Sequence, residues 1–353
     1  MKKIFTALFL TSLFLISCGG NGSKNDSLND ADSTDIVADA AQDSIRHTKE
    51  YIAQRIDTIY KYKDDMRFCS AKYLSLDAHA SKLSHEMGYV YRDYDHWVMG
   101  QDTDPKWSYK IKDIKDIKEV EATVELTIHN FKKQRVILNL VYERGDWYVD
   151  NFRTSFSGKK AEEVEGEKYD MLNFIHDCSN EKIEKKYGQS FDISKYEASM
   201  TSDMIYEYAL IDIDLDGHPE LWVRNQEGYY DAVYSLADNK AQLLAEADGR
   251  TSLVFFENGV GSQGSCGTGC AQNNFCLLKS SRPIHNVSWI DEYRFDDNGD
   301  FASSESGYYK DDKECTEKEA LEMSEQLGES YSINPTWHSV DITRNKSLSN
   351  YAE

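Results

Sequence analysis

Apolar residues recur along this chain with two different periods. Ile45, Ile52, Ile56, Ile59 and Tyr60 fall at helical spacing, which predicts an amphipathic helix. A second helical stretch, Leu76 to Met87, leads into an aromatic, polar loop from Tyr89 to Trp107. The period then drops to two. Val120, Ala122, Val124, Leu126 and Ile128 alternate with mostly polar neighbours, and Val136, Leu138 and Leu140 repeat the alternation. Successive side chains of a strand point to opposite faces, so this pattern predicts strands with one buried side. Glu143-Arg144-Gly145-Asp146 then turns the chain into Trp147-Tyr148-Val149. Helices followed by three or four antiparallel strands predict an α+β domain over residues 48–155, its sheet wrapping one face around the helices.

From Gly158 to Lys168 only Ala161 and Val164 are apolar. With no face to bury, residues 156–168 read as an exposed linker, or as a charged surface segment inside one larger domain. A strand-rich α+β domain is expected over 169–343, and a flexible tail over 344–353. The domain opens with a helix carrying Leu172, Phe174 and Ile175. Strands follow at Tyr206–Ile211, Leu221–Val223 and Leu253–Phe256, and Asp297-Asn298-Gly299-Asp300 carries a hairpin signal. Thr316, three residues before Glu319, caps a helix that runs to Leu327.

The amino terminus follows neither period. Lys2 and Lys3 precede an apolar stretch from Ile4 to Ile16 and then Ser17-Cys18-Gly19-Gly20, the order of a secretory signal. The stretch is shorter than the roughly 20 apolar residues a membrane-spanning helix needs. Leu15-Ile16-Ser17-Cys18 resembles the lipobox of bacterial lipoproteins, which implies cleavage after residue 17 and lipidation of Cys18. Residues 1–18 are thus expected to direct and anchor the chain in the cell envelope, at the outer membrane, on its periplasmic face or at the cell surface. Residues 19–47 have almost no large apolar side chains and are expected to form a disordered tether. Within the tether, Asp26-Ser27-Leu28, Asp32-Ser33-Thr34 and Asp43-Ser44-Ile45 resemble O-glycosylation sites of exported lipoproteins, and equally suit ordinary linker sequence.

Charge narrows the partners. Forty Lys and Arg against 62 Asp and Glu give −22, and loss of Lys2 and Lys3 with the signal takes this to −24. Phosphate backbones repel such a chain, so nucleic acid is excluded as a partner. Lipidation of Cys18 leaves Cys69, Cys178, Cys266, Cys270, Cys276 and Cys315, an even set that in an exported protein suggests disulfides of open connectivity. Pairing all six requires Cys69 to bridge the two domains. Alternatively, Cys69 is a small buried apolar residue.

Leu140-Val141-Tyr142-Glu143-Arg144-Gly145-Asp146-Trp147-Tyr148-Val149, with the preceding element order, resembles the nuclear-transport-factor-2-like (cystatin-like) superfamily. Gly100-Gln101-Asp102 resembles the loop of a lipoprotein subgroup within it. The resemblance implies a cone-shaped first domain but no single function, because superfamily members include enzymes and binding modules. Asp93, Asp95, His96 and Asp102, beside Trp97 and Trp107, are the residues an enzyme of this shape would use for proton transfer. In a loop, however, Asp and His are ordinarily solvated residues, so a binding pocket lined by Trp97 and Trp107 is favoured over catalysis, and plain core tryptophans over both.

The second domain carries the most specific motif. Asp212-Ile213-Asp214-Leu215-Asp216-Gly217-His218-Pro219-Glu220-Leu221 places three carboxylates at alternate positions before a glycine that permits a sharp turn. This is the start of a calcium loop, with Asp212, Asp214 and Asp216 as ligands, His218 through its carbonyl, and Glu220 directly or through water. Val223 stands where an EF-hand has its bidentate glutamate, and the flanks read as strands. The segment therefore resembles the calcium-loop hairpins of secreted bacterial proteins, with a structural ion. The competing reading is an acidic turn without metal.

Gly259-Val260-Gly261-Ser262-Gln263-Gly264 matches a dinucleotide fingerprint formally, yet Ser265 to Cys270 cannot open the helix it requires. Cys266, Cys270 and Cys276 lack zinc-ligand spacing. The chain contains no Gly-x-Ser-x-Gly elbow or His-Glu-x-x-His helix. Together these readings predict a membrane-anchored, non-enzymatic binding or accessory module with an envelope-protein or glycan partner. The alternatives are an envelope hydrolase and an inhibitor or immunity-type partner of a basic protein.

Overall fold

The computed structural model describes residues 44–155, 159–196, 199–200, 205–225, 229–237, 240–295 and 301–340. Cys18, the tether to residue 43, Asn298-Gly299 and the tail lie outside them. The fold is α+β, built as two units that divide between Met171 and Leu172.

In the first unit, α1 (Lys49–Tyr62) turns Ile52, Ile56, Ile59 and Tyr60 inward, while Ile45 is exposed. Thr48 caps its start, and Lys63 closes it in the left-handed region. A single helical turn, α2 (Asp65–Phe68), and α3 (Ala71–Met87) follow, the latter running from a Ser70 cap to Gly88 at φ +73°. Four antiparallel strands, β1 (Ser108–Lys115), β2 (Glu121–Asn130), β3 (Lys132–Glu143) and β4 (Asp146–Thr154), pair in sequence order. Strand β2 alternates half-buried and buried residues along its whole length, as its period-two pattern requires. Arg144 and Gly145, both at positive φ, form the two-residue turn between β3 and β4.

The segment read as an exposed linker is partly interior. Ala161, Glu167 and Lys168 are buried, the charged pair because each meets a partner, with Lys168 Nζ 2.5 Å from Asp150. Composition missed this because it scores a charged residue as exposed without knowing what faces it.

The second unit is largely sheet. Helix α4 (Glu167–Tyr187) enters it, and its Ile183 packs on Tyr208, Leu210, Leu221 and Val223. The strands are β5 (Glu207–Ile211), β6 (Glu220–Arg224), β7 (Tyr230–Ala237), β8 (Lys240–Asp248), β9 (Thr251–Phe256), β10 (Gly259–Gly267), β11 (Cys270–Lys279), β12 (Arg282–Phe295), β13 (Phe301–Lys310), β14 (Lys313–Glu314), β15 (Ser330–Tyr331) and β16 (His338–Ser339). They form a five-stranded sheet ordered β16-β5-β6-β7-β8 and a seven-stranded sheet ordered β14-β13-β12-β11-β10-β9-β15. Strand β8 packs against β9, β10 and β11. Helix α5 (Glu317–Ser324), started by the capping box of Thr316 and Glu319, covers Phe275, Leu277 and Val287 with Ala320 and Met323.

The Gly259–Gly264 pattern lies within β10 rather than at a helix start, and a Cβ at Gly261 would meet the Asn274 carbonyl and the Phe275 ring. Cys266 and Cys270 form a disulfide across the β10–β11 turn, with Cα atoms 5.2 Å apart. Cys69, Cys178, Cys276 and Cys315 are free, so three bridges are not formed; the first three are buried as small apolar side chains.

Candidate functional site

The acidic loop joins β5 to β6, and its turn depends on two left-handed residues, Leu215 at φ +56° and Gly217 at φ +80°. Glycine adopts this conformation freely, whereas at leucine it costs on the order of 1–3 kcal/mol. One carboxylate oxygen each from Asp212, Asp214 and Asp216 lies within 4.8 Å of the others. Asp212 and Glu220 are buried, at 1% and 0% exposure.

Each deep carboxylate divides its two oxygens in the same way. Asp212 Oδ2 accepts from Ser179 Oγ at 2.6 Å and from the Gly217 amide at 3.2 Å. Asp214 Oδ2 accepts the Ser281 amide at 2.8 Å, and Glu220 Oε2 accepts the Ile213 amide at 2.9 Å. Their other oxygens, Asp212 Oδ1, Asp214 Oδ1 and Glu220 Oε1, are buried without a hydrogen-bond partner. An unpaired buried polar group costs roughly 1–3 kcal/mol, more when charged, so three together need a cause.

Two further elements brace the loop. Helix α4 supplies Ser179 and Asn180, whose Oδ1 accepts the Asp212 amide at 2.9 Å. Ser280 and Ser281, both at positive φ, make the two-residue turn between β11 and β12, which also brings Ser281 Oγ to 3.2 Å from both oxygens of Asp216. Burial raises the pKa of Asp212 and Asp214, and each feels the charge of Asp216. Burial pushes Glu220 up to about 8, and the charges of Asp214 and Asp212 push the same way. His218 is exposed; its amide donates to Asp216 Oδ1 at 2.8 Å, and its ring points to the same oxygen at 3.3 Å. This residue set suits a hard divalent cation, because the donors are oxygens and several are anionic.

The first unit holds a different cluster. Helix α2 brings Asp65, α3 brings Tyr73 and Asp77, the following loop brings Arg92, Tyr94, His96 and Trp97, and α4 begins with Glu167. His96 is buried, stacked on Phe152 with ring centroids 4.1 Å apart. Its Nε2 lies 3.1 Å from Asp65 Oδ1, which also accepts Trp97 Nε1 at 2.5 Å. Its Nδ1 faces Glu167 Oε2 at 3.2 Å, Tyr73 Oη at 3.0 Å and Arg92 at 2.9 Å. Glu167 also accepts from the Tyr73 and Tyr94 hydroxyls, and Arg92 reaches Asp77 at 2.9 Å. Burial opposes charge on the His96 ring, but hydrogen bonds to Asp65 and Glu167 outweigh it and hold the pKa at about 9. Burial likewise opposes charge on Glu167, and the His96 ring beside it keeps that carboxyl below its usual range.

Of the loop residues expected to support catalysis, His96 and Asp95 line a cavity of about 620 Å³ with Tyr62, Lys63, Arg92 and Trp97. Asp93 instead accepts Gln101 Nε2 at 2.7 Å, and the carbonyl of exposed Asp102 accepts Asn130 Nδ2 at 2.8 Å, so the four do not converge. Asp65, Cys69 and His96 could share a cation by distance, but Asp65 Oδ1 is committed and burial pushes the Cys69 thiol up, away from the thiolate a metal needs.

Among the described residues no helix is long and apolar enough to cross a membrane. No protein-family model, no curated protein and no solved structure gives a significant match to this chain.

Proposed function

We propose that this chain is a membrane-anchored, extracytoplasmic lipoprotein acting as a non-enzymatic binding module, with a structural calcium ion in its second unit. The observation that carries the calcium assignment is the trio of unpaired buried oxygens on Asp212, Asp214 and Glu220. Each of these carboxylates is held by one oxygen, which orients the other. Calcium takes six to eight oxygen ligands in flexible geometry, and would neutralise a cluster that otherwise concentrates four carboxylates. Asp212, Asp214, Asp216 and Glu220 are the side-chain ligands, and His218 contributes through its carbonyl. The ion acts by stabilising one folded arrangement, since ligand that binds only the folded state adds to stability.

The non-enzymatic reading rests on the saturation of the His96 cluster. As an imidazolium, the ring donates to Asp65 and Glu167. As a neutral ring, it donates to Asp65 and accepts at Nδ1 from Arg92. Neither form leaves a lone pair for a substrate in the adjoining cavity, as a general base requires. Three helices ahead of a four-stranded antiparallel sheet also suit a cone-like nuclear-transport-factor-2-like module. The hydrolase reading keeps one favourable observation, the cavity beside Asp95 and His96. The acidic surface charge alone motivates an inhibitor of a basic protein.

Calorimetric titration of the full chain with calcium tests the site. Saturable binding lost in Asp214→Asn supports it, and heats identical to buffer remove it. Metabolic labelling with a fatty acid tests the anchor, which fails if Cys18→Ser still labels and stays with membranes. Hydrolysis of any envelope substrate, abolished by His96→Ala, would overturn the non-enzymatic reading.

A further inference from the structure

The seven-stranded sheet has one face covered by α5, where Phe275, Leu277 and Val287 are buried. Its other face carries a group of polar side chains in its middle strands, beside buried Val260 and Cys276. Ser262 of β10, Asn274 of β11 and Ser288 of β12 are direct Cα partners in one row across the sheet. Gln272 and Asn286 stand two residues from that row on the same face, because side chains alternate. These five side chains and Tyr230 line a cleft of about 670 Å³, whose opposite wall is β8. Among the described residues none of the five side chains has a hydrogen-bond partner. Ser262 makes this informative. It is only 4% exposed, and a buried hydroxyl is ordinarily bonded within the protein. Its hydroxyl opens on the cleft instead.

The lining also limits the ligand's charge. It carries Glu246, Asp248 and Asp312 and no Lys, Arg or His among its described residues, so an anionic ligand finds no counter-charge. Amides and hydroxyls both donate and accept, which matches ligands whose own groups do the same. Neighbouring strands place these groups roughly 4.8 Å apart, the separation of equatorial hydroxyls two carbons apart on a pyranose ring. The cleft falls within the roughly 300–1,000 Å³ range of small-molecule sites.

We propose that this cleft binds a neutral oligosaccharide. The amide and hydroxyl row engages sugar hydroxyls, the carboxylates accept hydroxyl donors, and the Tyr230 ring offers a face for the sugar's C–H surface. The assignment rests on the binding-module reading and names its ligand class.

The test is titration of the full chain, in a detergent without a sugar headgroup, with maltotriose, cellotriose, chitotriose and mannotriose, followed by an array of neutral glycans. Saturable binding at a dissociation constant below about 1 mM is expected. At least tenfold weakening is expected in Asn274→Ala and in Gln272→Ala, both of which replace side chains outside the core. Absence of binding to every neutral glycan overturns the assignment, as does binding undiminished in both variants. Capture of oligolysine instead, lost in Glu246→Gln, replaces it with a cationic-peptide site. Release of hydrolysis products would sink the binding-module reading itself, whereas absence of sugar binding leaves that reading standing.

Discussion

Calcium bound at the proposed site should stabilise the second unit by an amount set by the oxygens it would ligate and by its affinity. Three buried oxygens without partners cost roughly 1–3 kcal/mol each, which sets the scale of what ligation can recover. The gain expected in solution is smaller, because it depends on ion concentration. Extracellular calcium modules have dissociation constants of about 10⁻⁴ to 10⁻³ M, so about 2 mM calcium stabilises by about 2 kcal/mol at the tight end. For a unit of this size that is a rise of about 4–8 °C in melting temperature. Scanning calorimetry of the full chain in calcium and in chelator measures it. Asp214→Asn sharpens the test, because the amide keeps an oxygen for the Ser281 N–H and removes one charge. In chelator the variant should melt at or above the parent, since like-charge repulsion is relieved. In calcium it should melt below the parent. Parent melts that coincide with and without about 10 mM calcium, ten times the weakest constant expected, would exclude a calcium site in the loop, as would an undiminished shift in the variant.

The first unit should respond to pH and not to calcium. The folded pKa of His96, about 9, lies above the ordinary 6.5, so its stabilisation is fully present below pH 6.5 and lost as pH rises through 9. That displacement corresponds to at most about 3 kcal/mol, measured by urea unfolding at pH 6 and pH 9.5, and His96→Gln should flatten the profile. Glu167→Ala should cost about 3–5 kcal/mol by leaving buried His96 and half-buried Arg92 short of their carboxylate, whereas an exposed-linker residue would cost under about 0.5 kcal/mol. Thr316→Ala should lower stability by about 1 kcal/mol through loss of the helix cap, read as a fall in urea midpoint at constant slope.

Much of the backbone was legible because period decides it. Strand β2 alternates without interruption, and Ile52, Ile56 and Ile59 lie on the buried stripe that their spacing marks. The acidic loop was legible because all its carboxylates fall within nine residues. What braces it was not. Ser281 lies 65 to 67 residues from the aspartates it holds, and Ser179 lies 33 from Asp212. A serine carries no local mark that distinguishes a solvated hydroxyl from a supporting one. Glu167 was hidden for a further reason. It lies in a run dominated by charged residues, and only its position four residues before buried Met171 and eight before Ile175 places it on an inward face. Short α2, which carries Asp65, has too few residues to show any period.

The two clusters use the same residue types to opposite ends, and the difference lies in how their charges balance. Around His96 the carboxylates of Asp65, Glu167 and Asp77 meet the cations of His96 and Arg92, with three aromatic donors, Tyr73, Tyr94 and Trp97, taking further acceptor positions. That cluster is close to self-sufficient, and a reacting group would have to break it before using any member. In the β5–β6 loop, Asp212, Asp214, Asp216 and Glu220 face no Lys or Arg among the described residues, and their one ionic contact is the exposed His218 ring against Asp216. The neutral donors that reach them, two serine hydroxyls and several backbone amides, orient the carboxylates without cancelling their charge. A buried cluster that folds with its charge uncancelled must take up protons or a cation. Burial and crowding already push the Glu220 pKa up to about 8, and a divalent ion meets the same demand while using the oxygens the fold leaves unpaired.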